Sequence, residues 1–380
     1  MILATVVLLV VGLLLLGARF GFLGPARPTA DDVVRADLIE SWKAAATGAG
    51  LGRSLMTPSG PTDLAPSVLR VHLGPPVVLV VRLLAGQVPG DVSDVSTRLA
   101  HALGAARLKV TPNGYGHVLI TLLPTDPLPS RVELQPGPGI FLGVDEDGRE
   151  VRIEIHRLGH VAVQGRTRHG KSTLLYGILG QLAAEPGLII AGVDPSGLTL
   201  RPFQGTRHES WQCLGLSDLG RVELILSRLI AEMDRRIGAI PPGQDVVTGE
   251  PTVVVVLEEY QGLLRSLDAA DPKLAKRIRL WVARLLCESS KAAFSVIMVA
   301  HRATATDLDG TVRAQATVRI SFSQDSPDSV RLLHPEATTA AAESVVGAPP
   351  GVVLVSIPGQ RTRRLRTPHT TYREYADSIR

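Results

Sequence analysis

The chain lacks the features that would mark a disulfide-stapled, metal-cluster or strongly charged protein. It has two cysteines in 380 residues, Cys213 and Cys287. Two thiols cannot hold a metal cluster between them, and a chain of this length needs no disulfide for stability, so both are expected to be reduced. A large excess of one charge sign is also missing: the formal net charge is +4, and charged residues make up 20% of the chain. A pI of about 9.3 tilts the chain only slightly toward acidic partners such as nucleic acid or anionic lipid. With 45% apolar residues there is material for a large core and two or three domains.

Charge is absent altogether from Met1 to Ala18, and Val6 to Leu16 is aliphatic apart from Gly12. At about 1.5 Å of rise per residue, such a run is just long enough to cross a bilayer core. A cleaved secretory leader would carry a basic segment before the apolar run, yet here Ile2 follows Met1 directly. Arg19, Arg27 and Arg35 all follow the run, so the positive-inside rule places the remainder in the cytoplasm. The reading adopted is a single-pass membrane anchor; a signal peptide or a buried core helix are the alternatives.

What is present is a phosphate-binding loop. Gly165-Arg166-Thr167-Arg168-His169-Gly170-Lys171-Ser172 follows the pattern G-x-x-x-x-G-K-[ST]. Val161, Ala162 and Val163 lead into it as a strand, and Leu174, Leu175, Ile178 and Leu179 follow at helical spacing. In a strand, loop and helix of this kind, backbone N–H groups close around the phosphates of ATP. Lys171 is expected to reach the β- and γ-phosphates, and the Ser172 hydroxyl to hold Mg2+.

The rest of the chain divides by composition. After the anchor (1–24), a juxtamembrane helix from Asp31 to about Ala46 and a loop rich in Gly, Ser, Thr and Pro fill 25–66. A small α/β domain is expected over 67–125, with strands at Val77–Leu84, Leu108–Val110 and His117–Leu123 and a helix at Asp91–Leu103. It carries no catalytic constellation, and His101 and His117 are read as structural or surface residues. A proline-rich boundary starts at Pro124. The motor is expected over 126–367, with a tail at 368–380. In it, strands at Leu188–Val193, Thr252–Leu257 and Phe294–Val299 alternate with helices at Ser217–Ile237 and Pro272–Ser289, which predicts a mainly parallel sheet with helices on both faces.

Glu258 and Glu259 follow the apolar run Val253–Leu257 directly. At a strand end beside a phosphate loop, the first carboxylate is expected to support Mg2+ and the second to serve as general base or water-orienting group. His301 follows another apolar run and stands where a polar γ-phosphate sensor belongs. Arg302, Arg319 and Arg331 are candidates for an arginine supplied across a subunit interface.

These motifs, in this order, resemble the FtsK/SpoIIIE family of membrane-anchored translocases of double-stranded DNA. Ile140 to Glu150 is similar to the family's LGxDxxGxPV lead-in, His160 to Gly165 to its PHLLVAG strand, and Val193-Asp194-Pro195 to its IDPK strand end. Leu229 to Arg236 resembles the L..EMxRR helix, and Ala300-His301-Arg302 parallels TQR. Gly310 to Arg313 parallels GLIK, and Arg319-Ile320-Ser321-Phe322 parallels RIAF. Arg331 matches the arginine of the following helix, and Pro349 to Val355 is similar to the GRGDMLY turn and strand.

The resemblance implies a RecA-like P-loop NTPase motor working as a homohexameric ring, with ATP sites between subunits and duplex DNA in the channel. It also implies that the unit at 67–125 is the smaller domain stacked beside the motor. The single short anchor, and the lack of room after the motor for a DNA-reading winged helix, resemble the smaller actinobacterial plasmid-transfer members, located in the bacterial cell membrane. The chain departs from the family's pattern at Glu258 (usually Asp), at His169 (usually small) and at His301 (usually Gln). A coupling ATPase that passes protein or single-stranded DNA, and a weakly hydrolysing nucleotide-binding scaffold, are the competing readings.

Overall fold

The computed structural model describes residues 29–58, 60–155, 158–302 and 310–379. The expected anchor lies outside them, and among the described residues no helix is long and apolar enough to cross a membrane. The described residues form two compact units, one running up to Pro89 together with Arg98–Pro124, the other comprising Gly90–Thr97 and the described residues from Thr125 onward.

The first unit begins with α1 (Ala30–Gly48), started by a reciprocal capping box between Thr29 and Asp32. Its Trp42 is buried, and the indole N–H donates to Pro66 O at 2.7 Å. The segment read from sequence as a plain loop contains a hairpin, β1 (Arg53–Thr57) and β2 (Gly60–Leu64). Its strands are mostly exposed, so no apolar alternation marked them in the sequence. A four-stranded antiparallel sheet follows, built from β3 (Ser67–His72), β4 (Val77–Arg82), β5 (Arg107–Pro112) and β6 (His117–Leu123) in the order β3-β4-β6-β5. The single helix expected over 91–103 is two, α2 (Pro89–Asp94) and α3 (Ser96–Ala102).

The second unit is organised by one ten-stranded sheet, and the expectation of a mainly parallel sheet is only half right. Six strands are parallel: β9 (His160–Gln164), β10 (Leu188–Asp194), β11 (Gln212–Leu214), β12 (Thr252–Leu257), β13 (Phe294–Ala300) and β14 (Ala316–Ser321), in the order β11-β10-β12-β13-β9-β14. Beyond β14 the sheet continues antiparallel through β15 (Val352–Ser356), β16 (Arg363–Arg366), β7 (Ile140–Asp145) and β8 (Glu150–Ile153). These four strands come in hairpins with short connections, and antiparallel pairing is the geometry that such connections allow.

The apolar run Val253–Leu257 is fully buried because alternate residues serve different faces. Val253, Val255 and Leu257 pack with α5 (Leu219–Gly238), α6 (Tyr260–Ala270) and α7 (Pro272–Glu288). Val254 and Val256 pack on the other face with α4 (Lys171–Ala183) and Tyr375. The helix α5 is capped by Asp218, whose carboxylate accepts the Arg221 N–H at 3.0 Å, and it buries Val222, Ile225, Leu226, Leu229 and Met233. Its Arg236 is 1% exposed and donates to Glu232, Pro251 O and Ala292 O, so this family-like arginine serves packing. Truncating Leu229, which is fully buried, to Ala would cost about 2–5 kcal/mol.

Three short helices, α8 (Gly310–Gln315), α9 (Pro327–Arg331) and α10 (Thr339–Glu343), connect the strands around β14 and β15. The stretch read as a tail forms α11 (Tyr372–Ile379). Tyr375 in it is fully buried, stacks on Tyr176 of α4 at 4.9 Å between ring centroids, and donates its hydroxyl to Thr199 O.

Candidate nucleotide site

The phosphate loop runs from the carboxyl end of β9 into α4, with β9 flanked in the sheet by β13 and β14. Its first residues are tied to both neighbours: Gly165 N donates to His301 O at 3.2 Å, and Arg166 N to Ser323 O at 3.1 Å. Phe322, at the end of β14 and fully buried, explains the glycines. A Cβ on Gly165 would stand 2.5 Å from Phe322 Cβ. One on Gly170, whose φ is +111°, would meet the Phe322 ring at 3.0 Å and Gly351 N at 3.4 Å. Both positions therefore require glycine, one for space and one for space and backbone together.

Within the loop, Arg168 takes φ +64°, the left-handed region that costs a side-chain-bearing residue energy. His169 Nδ1 lies 3.0 Å from Thr167 O, so this unusual residue is engaged with the loop's own backbone. Lys171 Nζ donates to Gly165 O at 2.5 Å and to Arg166 O at 3.1 Å. Burial lowers the Lys171 pKa, while Glu259 and Glu258 pull it the other way.

A cavity of about 540 Å³ lies over the loop. Thr167, Arg168, Gly170, Lys171 and Ser172 line it, together with Glu258, Glu259 and His301, so residues from three strand ends converge. Glu258 is 7% exposed. Burial, then hydrogen bonding and charge from Asp194 and the charge of Glu259, push its carboxyl pKa upward. Asp194 is fully buried and accepts the N–H groups of Ser196, Gly197 and Leu200, each at 3.0 Å, and the Ser196 hydroxyl at 2.7 Å. Glu258 and the Ser172 hydroxyl line the same cavity, and these oxygen donors suit a hard divalent cation such as Mg2+. Glu259 follows with φ +43°, and its half-exposed side chain sits near His301.

Arg331, Arg302 and Arg319 do not line the cavity. Arg331 ends α9, pairs with Asp328 at 2.6 Å and is exposed. Of the other arginines, Arg302 pairs with Asp325, which also takes Arg166 at 3.4 Å. Arg319 donates to Ala316 O and Arg313 O, binding together its own stretch of chain.

Sequence reasoning missed a whole wall of the cavity: Ser130–Val132, Pro350–Gly351 and Arg366–His369. The first comes from the supposed boundary segment, and the last straddles the expected end of the motor and the supposed tail. Buried Arg364 of β16 anchors the segment by pairing with Asp126 at 2.7 Å and with Glu146 at 2.6 Å. Arg366 Nε donates to Pro129 O at 2.9 Å, and His369 N to Val132 O at 3.1 Å. No local pattern links residues so far apart in the chain; only the antiparallel half of the sheet brings them together.

No family model matches the chain. Among curated proteins it is similar to the DNA translocase FtsK of Halalkalibacterium halodurans, 23% identical over 317 residues covering 74% of this chain and 38% of that protein. It is also similar to the DNA translocase SpoIIIE of Bacillus subtilis, 23% identical over 303 residues, 70% of this chain and 37% of that one. The chain thus spans less than two fifths of the length of either relative. Among solved structures, its fold is similar to the pCW3 conjugation coupling protein TcpA in its monomer form with ATPγS. The TM-score is 0.58 at 16% identity, over 90% of this chain and 98% of that one. ATPases 2 and 3 of EssC from Geobacillus thermodenitrificans share the fold with a TM-score of 0.53 at 15% identity, over 67% of this chain and 50% of that one. The order of the motifs and the three quarters of its length that match make the chain similar to the FtsK/SpoIIIE DNA translocases.

Proposed function

We propose that this chain is an ATP hydrolase that drives double-stranded DNA, held at the cytoplasmic membrane by Met1–Ala18 and assembled as a homohexameric ring. The observation that carries the reading is the convergence of the loop Gly165–Ser172 with Glu258, Glu259 and His301 on one cavity, in a relative of proteins named DNA translocases. Lys171 and the loop N–H groups bind the triphosphate. Ser172 and Glu258 would hold Mg2+, which when bound neutralises charge on the phosphoryl oxygens. Glu259 polarises the attacking water, and His301 touches the γ-phosphate region.

Arg331 stands away from its own chain's cavity on an exposed helix end, which suits an arginine that completes a neighbouring subunit's site. The membrane reading is supported by the uncharged first 18 residues and the arginines that follow them. Plasmid transfer is favoured as the setting, because TcpA, whose fold matches over most of both chains, is a conjugation coupling protein.

The test is ATP hydrolysis by the purified chain alone, with linear duplex DNA and with single-stranded DNA. Duplex is expected to stimulate most, with a steep loss of stimulation as salt rises, because phosphate contacts dominate such binding. Stimulation by single strands alone would favour a secretion-type coupling role, and tight ATP binding without turnover would favour a scaffold.

A further inference from the structure

Half of the cavity has no task in phosphate chemistry. A triphosphate laid along Gly170, Lys171 and Ser172 brings its α-phosphate to the first turn of α4, where Thr173 also lines the cavity. The ribose and base would then be left to the remaining lining residues, Ser130–Val132, Pro350–Gly351 and Arg366–His369.

The planar group of Arg366 is fixed from two sides. Its Nε donates to Pro129 O at 2.9 Å and its Nη1 to Pro350 O at 2.5 Å. Gly351, next to Pro350, donates its N–H to His169 O of the phosphate loop at 2.9 Å. The guanidinium is thereby held in register with the loop through two hydrogen bonds and one intervening turn. Neighbouring backbone groups are satisfied among themselves, His369 N on Val132 O at 3.1 Å and Thr367 N on Gly351 O at 2.8 Å. They are not turned toward a base edge.

We propose that Arg366 is the stacking platform for the nucleobase, and so the residue that makes this site prefer a nucleotide to a bare polyphosphate. A guanidinium plane fixed at both ends offers a π-system a flat, cationic face with no further ordering needed on binding. This inference rests on the reading of the cavity as an ATP site.

Titration of the full-length chain with Mg-ATP and, separately, with Mg-tripolyphosphate tests it. Arg366→Ala should weaken ATP binding about tenfold, as for loss of a base–side-chain stack, and leave tripolyphosphate binding unchanged. Arg366→Lys keeps the charge without the plane and should recover little of the loss. If Arg366→Ala does not fold, the lysine variant carries the test alone. Equal weakening of both ligands would make Arg366 a phosphate contact and overturn the proposal, as would unchanged ATP affinity. If the unaltered chain bound tripolyphosphate but not ATP, the base platform alone would fall; if it bound neither, the ATP-site reading would fall first.

Discussion

His301 Nε2 lies 3.7 Å from Glu259 Oε1, across the gap between the ends of β13 and β12. The two side chains are 40% and 53% exposed, so each can swing between its partner and a nucleotide. On the proposed reading, a histidine at this distance would hold the carboxylate aside or hand it to water. His301→Ala is therefore expected to lower kcat by about tenfold or more with little change in KM. His301→Gln, which keeps a donor, should retain more activity. Steady-state kinetics decide; an unchanged kcat in His301→Ala would remove His301 from the site.

Lys171→Ala should abolish ATP binding, since the loop loses its only ammonium. Glu259→Gln should bind ATP normally and slow hydrolysis by about 10²–10⁴-fold, the usual range for losing a general base. Filter binding and single-turnover assays separate the two, and normal turnover by either variant would refute the assignment.

Arg331 makes a prediction about pairs of subunits. Chains carrying Arg331→Ala or Lys171→Ala should each be inactive alone, yet recover part of the activity when mixed, because some interfaces then combine an intact loop with an intact arginine. Failure to recover, with mixed assemblies confirmed by mass, would place the finger elsewhere.

The loop's two unusual backbone positions predict opposite effects. Gly170→Ala should destabilise the loop and ATP binding, since its Cβ meets Phe322 and Gly351 at a φ of +111°. Arg168→Gly should stabilise the second unit by about 1 kcal/mol, because glycine accepts φ +64° without strain. Thermal melts read both; equal effects of the same sign would contradict the geometry.

His334 is 1% exposed and hydrogen-bonds Ser356 Oγ at 2.7 Å and Ser321 Oγ at 2.9 Å. Burial, aided by Arg319, holds its pKa down at about 3, against an ordinary value of 6.5. Below pH 6.5 the unfolded chain therefore binds a proton that the folded chain does not. Stability from this residue is complete above 6.5 and is lost as pH falls toward about 3, at about 1.4 kcal/mol per pH unit. His334→Gln should flatten that acid slope in denaturant titrations at pH 4–6, even if it lowers stability at pH 7.

Much of the catalytic end was legible because its signals are local. The spacing within Gly165–Ser172, the apolar run before Glu258 and the run before His301 each fix a strand end, and parallel strands place their carboxyl ends together. The hairpin at 53–64 escaped notice because neither face is buried, so nothing in its residues alternates. Asp194 was visible only as part of a resemblance. That it shares Ser196 with Glu258 depends on adjacent strands, β10 and β12, and on a turn that aims three N–H groups at one carboxylate.

By itself, the sequence determined that this chain has a phosphate loop, which strand ends carry polar residues after apolar runs, and which family it resembles, since each of the motifs is a run of neighbouring residues. Tertiary structure alone decided that Phe322 forces the glycines, that Arg331 stands outside its own cavity, and that Arg366 lines that cavity. Those relations join segments up to about two hundred residues apart, and the antiparallel half of the sheet is what draws the last of them to the loop.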